Sequence, residues 1–286
     1  MATDLREKVG KFGVWRGAWQ STPELAVGLE QLGYGTLWLG GSPDGDLEIV
    51  DEMLEATSTL TVGTSIVNMW KDDAALVARS FARIQSEFPG RFVLGVGAGH
   101  REATEHYANP YDVLSAYVEA LRGHNVPPES IVLAALGPKV LRLAADRTAG
   151  AIPYLVPPEH TQLAREILGP EPLLAPEHKV VLDADIRAAR KLGRRRVHTP
   201  YLGLANYTNN LRRLGFTDND LTDEGSDALI DALVAHGSAS EVARKLSAHF
   251  VAGADHVCIQ LLTPADSDPM PGYAQLARAL DLGAGA

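Results

Sequence analysis

The chain alternates short apolar runs with longer amphipathic segments along most of its length. Eight apolar runs have the length of β-strands, and they cover residues 11–15, 36–40, 60–68, 91–97, 130–137, 150–157, 178–185 and 256–264. Segments with helical spacing follow them, at residues 23–33, 46–58, 72–88, 110–123, 139–148, 159–169 and 272–283. The runs are continuously apolar, which is typical of parallel strands that are covered on both faces.

Eight strand–helix units in 286 residues predict an α/β chain that forms one (β/α)8 TIM barrel spanning residues 1–286, in preference to an open parallel sheet. The interval 186–255, between the seventh and eighth runs, is too long for one connection. It predicts a helical insertion that contains two helices, around the sequences DALIDALVAHG and SASEVARKLSAHF. No linker rich in proline, glycine or serine flanks it, so a separate domain is not expected.

Composition narrows the class of partner. Apolar residues form 45% of the chain, and the formal charge of −10 argues against nucleic acid and against an anionic membrane surface. The N-terminus lacks the apolar stretch of a signal peptide, and a cytoplasmic protein is expected. The single cysteine, Cys258, lies in an apolar run, so we expect it to pack in the core.

The carboxyl ends of barrel strands carry function, and here they are rich in glycine, small residues and aromatic residues. Glycine lets the backbone approach a flat ring or a phosphate closely. Gly137-Pro138 directly precedes a helical segment, where free N–H groups can hold a phosphate, although many strand–helix turns look alike. Arg194, Arg195 and Arg196 are interpreted either as a phosphate contact or as a solvated helix end.

The sequence lacks the motifs of enzymes that react through their own side chains or through a bound metal ion. The nine histidines show no metal-binding spacing, and no nucleophile elbow or Walker loop occurs. The run from Gly95 to His100 is not a dinucleotide fingerprint, because histidine stands where the third glycine belongs. We therefore expect a bound cofactor to supply the reactivity.

Several runs resemble the luciferase-like monooxygenase superfamily. They are Arg91–His100 (RFVLGVGAGH) and Leu60–Asn68 (LTVGTSIVN). Three further runs look like the branch that uses the deazaflavin coenzyme F420, namely residues 132–140, 150–156 and 253–257. The resemblance extends over essentially the whole chain, and it agrees with the barrel that the strand count predicts.

The resemblance implies an F420-dependent oxidoreductase that transfers a hydride between the deazaflavin and a small organic substrate, and it implies a homodimer. An FMN-dependent monooxygenase and a non-catalytic cofactor-binding barrel are the alternatives. The cofactor ring is expected against the third strand, beside a cis peptide bond at Ser65–Ile66. Sugar-phosphate dehydrogenases of the family carry an Asp-His pair where Gly41 and Ser42 stand here, and a Glu where His100 stands, so their reaction is not expected.

The candidate site residues follow from these strand ends and from the resemblance. Those expected to contact the cofactor are Gly40, Gly41, Ser65, Ile66, Val67, Asn68, Gly97, Ala98, Gly99, Ala135, Leu136, Gly137, Pro138 and Ile152. Trp15 and Trp70 are expected to line the substrate site, or else to plug the rim. His100 is the candidate catalytic acid or base, with cofactor positioning and a structural role as alternatives, and His106 and Tyr107 as other proton sources.

Overall fold

The computed structural model describes residues 5–99, 109–265 and 267–283. Its strands are β1 (Phe12–Gly17), β2 (Thr36–Gly40), β3 (Thr61–Ser65), β4 (Val67–Asn68), β5 (Phe92–Gly97), β6 (Ile131–Leu133), β7 (Gly150–Ala151), β8 (Leu173–Leu174), β9 (Glu177–Val181), β10 (Val234–His236) and β11 (Val257–Leu261). Its helices are α1 (Leu5–Val9), α2 (Pro23–Gln31), α3 (Glu48–Glu55), α4 (Ala74–Glu87), α5 (Pro110–Gly123), α6 (Pro138–Arg147), α7 (Pro158–Leu168), α8 (Ile186–His198), α9 (Ala205–Arg213), α10 (Asp218–Leu221), α11 (Asp227–Leu233), α12 (Ala239–Val251) and α13 (Met270–Ala279).

All the paired strands in the described part of the chain run parallel, and they form one curled sheet. Gly17 pairs with Gly40, and Gly40 pairs with Ser65, so the carboxyl ends of β1, β2 and β3 are level with one another. This shared edge is called the mouth below. The parallel, curled sheet with its helices confirms the α/β class that the sequence predicts.

Backbone hydrogen bonds also join β7 to the chain between β8 and β9. The N–H of Ala175 donates to the carbonyl of Ala151 at 2.9 Å, and the N–H of Glu177 donates to the carbonyl of Pro153 at 2.8 Å. On its other side β9 pairs with β11, which in turn pairs with β1. The sheet therefore curls around an interior filled by side chains.

Four details differ from the sequence prediction. The seventh run, expected at 178–185, begins earlier as β9, and β7 ends at Ala151 rather than at residue 157 because Pro153 and Pro157 have no N–H to donate. Val234–His236 was expected to continue a helix, and it instead forms β10 because it pairs with β9. The run 60–68 divides into β3 and β4.

The interval between β9 and β11 contains α8 to α12 and β10. Apolar residues of α8 to α11 form one buried cluster with Leu155, Val181 and Leu262 of the sheet region, so these helices pack on the mouth. Helix α12 instead packs through Val242 and Leu246 in the layer between sheet and helices. Cys258 is buried in the sheet interior, as expected, and burial raises the pKa of its thiol. No helix within the described ranges is long and apolar enough to cross a membrane.

Candidate functional site at the mouth of the sheet

The floor of the mouth is small and apolar. Alternating residues of a strand point to opposite faces, and this places Gly97, Ala134 and Ile152 toward the interior. The peptide bond between Ser65 and Ile66 is cis, as the sequence resemblance predicts. A Cβ added at Gly97 would lie 3.1 Å from Cγ1 of Ile66 and 3.0 Å from Cβ of Ala134. Ile66 therefore lies over the end of β5.

Most of the candidate glycine positions have no room for a side chain, because a neighbouring residue of this chain occupies the space. A side chain at Gly40 would overlap the Trp15 indole, and one at Gly41 would overlap Trp19. A Cβ at Gly99 would lie 2.7 Å from the Asn68 amide nitrogen. These contacts explain the glycines without a ligand.

Trp15 joins the two sides of the mouth. Its indole N–H donates to the Ser65 hydroxyl at 3.0 Å, and its ring centroid lies 5.2 Å from that of Tyr154. The ring is buried at the interior end of β1. Trp70 is half-buried and packs against the layer between sheet and helices, so the structure does not group it with Trp15.

A polar cluster that sequence reasoning missed lies beside Trp15. It consists of Tyr154, Glu177, Lys179, Tyr201 and Gln260, and it is called the Lys179 cluster. The Lys179 ammonium donates to Glu177 at 3.1 Å and to the Gln260 side-chain oxygen at 2.8 Å. It also lies 4.0 Å from the centroid of the Tyr154 ring.

The hydroxyl groups of the cluster form a chain toward the same amide. Tyr201 donates to the Tyr154 oxygen at 3.0 Å, and Tyr154 donates to the Gln260 oxygen at 2.9 Å. Tyr201 follows α8, and Tyr154 follows β7, so the chain joins the helical interval to the sheet. Gln260 accepts from both Tyr154 and Lys179, which fixes its amide orientation.

Burial governs the protonation of the cluster. It raises the pKa of the Glu177 carboxyl and lowers the pKa of Lys179, while their mutual attraction opposes both shifts. Side-chain exposure is 1% for Lys179 and 3% for Glu177. Burial raises the pKa of Tyr201 to about 12 and the pKa of Tyr154 well above its ordinary value, so both phenols are neutral at pH 7.

A sequence signal for this cluster did exist. Glu177 and Lys179 stand two residues apart in a run of otherwise strand-forming residues. Charged residues with this spacing share one face of a strand. Because both faces of a parallel sheet are covered, that pattern indicates a buried ion pair rather than a solvated edge.

An open helix start lies on the same side of the sheet. Gly137 caps α6 and Pro138 opens it. Among the described residues other than its chain neighbours, only Arg213 comes within 4 Å of a Cβ added at Gly137, and its guanidinium lies 3.8 Å away. The His160 ring nitrogen Nε2 bonds the carbonyl of Leu136 at 2.9 Å and so holds the preceding loop. The helix dipole and Arg213 make this start suitable for an anion.

The remaining candidates have mixed positions. Val67, Ala98 and Ala135 pack in the layer between sheet and helices, and their side chains do not join the interior group. His100 lies outside the described residues, as do His106 and Tyr107. Arg194 pairs with Asp227 at 2.5 Å, which favours the interpretation as a solvated helix end.

Metal binding has no support in the described ranges, where no group of three or more histidine, cysteine, aspartate or glutamate side chains is placed to hold an ion.

Comparison with known proteins agrees with the fold. The family model of the luciferase-like monooxygenases matches residues 6–125. No curated protein sequence matches the chain. The resemblance to the luciferase-like superfamily, with F420-dependent enzymes among its structural neighbours, is confirmed.

Three similar solved structures show the range of cofactors. An F420-dependent secondary alcohol dehydrogenase in complex with an F420-acetone adduct has a TM-score of 0.74 at 16% identity, covering 94% of this chain and 98% of that one. The coenzyme F420-dependent tetrahydromethanopterin reductase of Methanopyrus kandleri has a TM-score of 0.67 at 15% identity, covering 95% and 98%. The oxygenating constituent of 3,6-diketocamphane monooxygenase from Pseudomonas putida, in complex with FMN, has a TM-score of 0.69 at 16% identity, covering 96% and 97%. At these identities the likeness concerns the fold.

Proposed function

We propose that this chain is an F420-dependent oxidoreductase that transfers a hydride between the deazaflavin and a small organic substrate. One observation carries the proposal: the small apolar floor of the mouth shares its side of the sheet with an open helix start that Arg213 flanks. A flat aromatic ring joined to a phosphate has the matching chemistry. The preference for deazaflavin over FMN rests on the sequence resemblance.

The residues present fit such a group. Ile66, Gly97 and Ala134 offer an apolar surface for a ring, and Gly137 is the candidate glycine where an added Cβ meets only Arg213 among the described residues. The N-terminus of α6 and Arg213 would hold the phosphate. A bound deazaflavin supplies a two-electron hydride donor or acceptor at carbon. The chain itself would bind and orient the cofactor and the substrate, and it would exclude water from them.

Two other functions fit the same geometry. An FMN-dependent monooxygenase needs the same ring and phosphate contacts, and one similar solved structure holds FMN. A non-catalytic cofactor-binding barrel needs them also. The cofactor preference separates the first alternative, and turnover separates the second.

Anaerobic fluorescence titrations with F420 and with FMN test the proposal. We expect F420 to bind at least tenfold more tightly than FMN. Tighter binding of FMN would favour the monooxygenase, and no binding of either cofactor would overturn the proposal. Each titration is repeated with the phosphate-free chromophore, deazaflavin or riboflavin, so that the phosphate contribution is measured separately.

Gly137→Leu tests the position of the phosphate. The backbone at Gly137 has an ordinary φ of −95°, so leucine folds there but covers the helix start. We expect at least a tenfold loss of F420 affinity with no loss of thermal stability. Gly123→Leu is the matched control, because Gly123 is exposed and no described residue lies within 4 Å of a Cβ added there. Equal affinities in the two variants would remove the α6 start from the site.

A further inference from the structure

We propose that the Tyr201 hydroxyl binds the substrate oxygen and gives or takes its proton, with Tyr154 as the residue that positions Tyr201. This inference rests on the proposed function for its hydride. It assigns a role to the buried polar cluster that the cofactor contacts leave unused. The substrate class that it implies is a small uncharged carbonyl compound or the corresponding alcohol.

Position is the first argument. Tyr154 packs against Trp15, and Trp15 bonds Ser65, which precedes Ile66 at the mouth. The tyrosine pair therefore lies across the interior from the floor on which the cofactor ring is proposed to lie. Both rings are half-buried, so neither is sealed into the core.

The order of the hydrogen bonds is the second argument. Tyr154 donates to an amide oxygen that Lys179 also holds, so its proton is committed to a fixed acceptor. Tyr201 donates to the oxygen of Tyr154, a neutral hydroxyl. Exchanging this neutral acceptor for a substrate oxygen costs less than breaking a bond that a cation supports. Tyr201 is therefore the donor that can turn toward a substrate.

Charge is the third argument. Lys179 lies 4.0 Å from the Tyr154 ring centroid and 5.3 Å from that of Tyr201. When Tyr201 has given up its proton, this buried cation can stabilise the phenolate. Glu177, Lys179 and Gln260 are positioning residues, because they hold Tyr154 and do not reach the substrate themselves.

The proton balance of the reduction is complete. The carbonyl carbon gains the hydride that the proposed cofactor supplies, the carbon–oxygen π bond breaks, and its electron pair becomes a lone pair on oxygen. That oxygen takes the proton from Tyr201, and the bond between the Tyr201 oxygen and its hydrogen breaks. Water then restores the proton to Tyr201. Oxidation of an alcohol follows the reverse order.

Tyr201→Phe tests the pair, first without turnover. Cyclohexanone labelled with ¹³C at the carbonyl is added to the protein in the absence of cofactor and again with oxidised F420, which cannot reduce it. We expect a bound carbonyl resonance displaced downfield in the wild type, because hydroxyl donors polarise the carbonyl. The displacement is lost in Tyr201→Phe and reduced in Tyr154→Phe. An unchanged resonance in Tyr201→Phe overturns the proposal.

Tyr207→Phe is the matched control, because its ring packs 4.9 Å from that of Tyr201 and its hydroxyl is not assigned to the pair. We expect it to retain the displaced resonance. If Tyr207→Phe loses the displacement as fully as Tyr201→Phe does, packing rather than the hydroxyl pair is responsible, and the proposal is wrong. Circular dichroism checks that each variant is folded.

Turnover gives the second measurement. With reduced F420 and cyclohexanone under anaerobic conditions, we expect Tyr201→Phe to slow the single-turnover rate by about 10²-fold or more, the usual range for a lost general acid, with unchanged F420 affinity. An unchanged rate overturns the role of Tyr201. If F420 does not bind to the wild type, the proposed function fails, while the carbonyl resonance still decides whether Tyr201 binds an oxygen.

Discussion

Gly40 and Trp15 show how a single residue is constrained at the mouth. The indole of Trp15 occupies the space where any side chain at position 40 would begin. We predict that Gly40→Ala lowers the free energy of unfolding by about 1–3 kcal/mol, the usual cost of overpacking. Urea unfolding measures this. In a Trp15→Leu background the same change is expected to cost less, because the obstructing ring is gone. An equal cost in both backgrounds would contradict the packing explanation.

The buried ion pair of Glu177 and Lys179 gives a second prediction at this scale. Lys179→Met leaves the Glu177 carboxylate buried without its partner, and we expect a loss of about 3–5 kcal/mol in the free energy of unfolding. The double variant Glu177→Gln with Lys179→Met removes both charges and is expected to recover most of it. Urea unfolding of the single and double variants decides, and a double variant no more stable than Lys179→Met would refute the ion-pair account.

Among the elements, the sequence predicted best where local and tertiary preferences agree. Strand β2 and helix α5 have the predicted bounds. An apolar run defines β2, whereas a proline at the start and a glycine at the end define α5. Strand β10 was missed, since only its pairing with β9 makes Val234–His236 extended. No local pattern reveals such pairing.

The candidate site divides in the same way. Strand ends are local features, and this is why the sequence could predict that Trp15 and Gly137 lie at the mouth. The Lys179 cluster combines residues from the loop after β7, from β9 and β11, and from the turn after α8, so its hydrogen bonds depend on how the sheet curls. The spacing of Glu177 and Lys179 is visible in the sequence, but it concerns a single strand and does not reveal the other members of the cluster.

At the start of helix α6, we expect a substitution to weaken ligand binding without affecting the fold. We predict that Arg213→Ala weakens binding of F420 by about 5- to 10-fold, because it removes a charge-assisted contact to a phosphate. Binding of the phosphate-free deazaflavin is expected to stay unchanged, because this ligand lacks the phosphate that Arg213 is proposed to contact. Fluorescence titration measures both. An equal loss for the two ligands would place Arg213 elsewhere.

For the whole molecule, buried histidines set the acid limit of stability. Burial lowers the pKa of His178 to about 4 and that of His256 to about 4. The unfolded chain takes up these protons near its ordinary pKa of about 6.5, so folding is penalised as the pH falls below that value. We predict a fall in the urea midpoint between about pH 6.5 and pH 4, worth at most about 3 kcal/mol for each histidine.

A variant can assign this acid response. His178→Gln is expected to have a shallower pH dependence, although it is less stable at neutral pH because it loses contacts with Val156 and His249. The exposed His124→Gln is the control and should keep the wild-type slope. An unchanged slope in His178→Gln would contradict the assignment. The homodimer also stays a prediction at this scale, and light scattering of the purified chain tests it.

We propose that the mouth of this sheet performs two-electron chemistry without oxygen. The most direct test is the visible absorption of oxidised F420 bound to the protein, followed anaerobically after mixing with a panel of small alcohols. We expect the deazaflavin band to bleach in stoichiometric proportion to the carbonyl product. The opposite result has two parts. No alcohol bleaches the band and reduced F420 is unreactive toward carbonyl compounds and enones, while reduced FMN supports oxygen consumption and substrate oxygenation. That result would contradict the proposal.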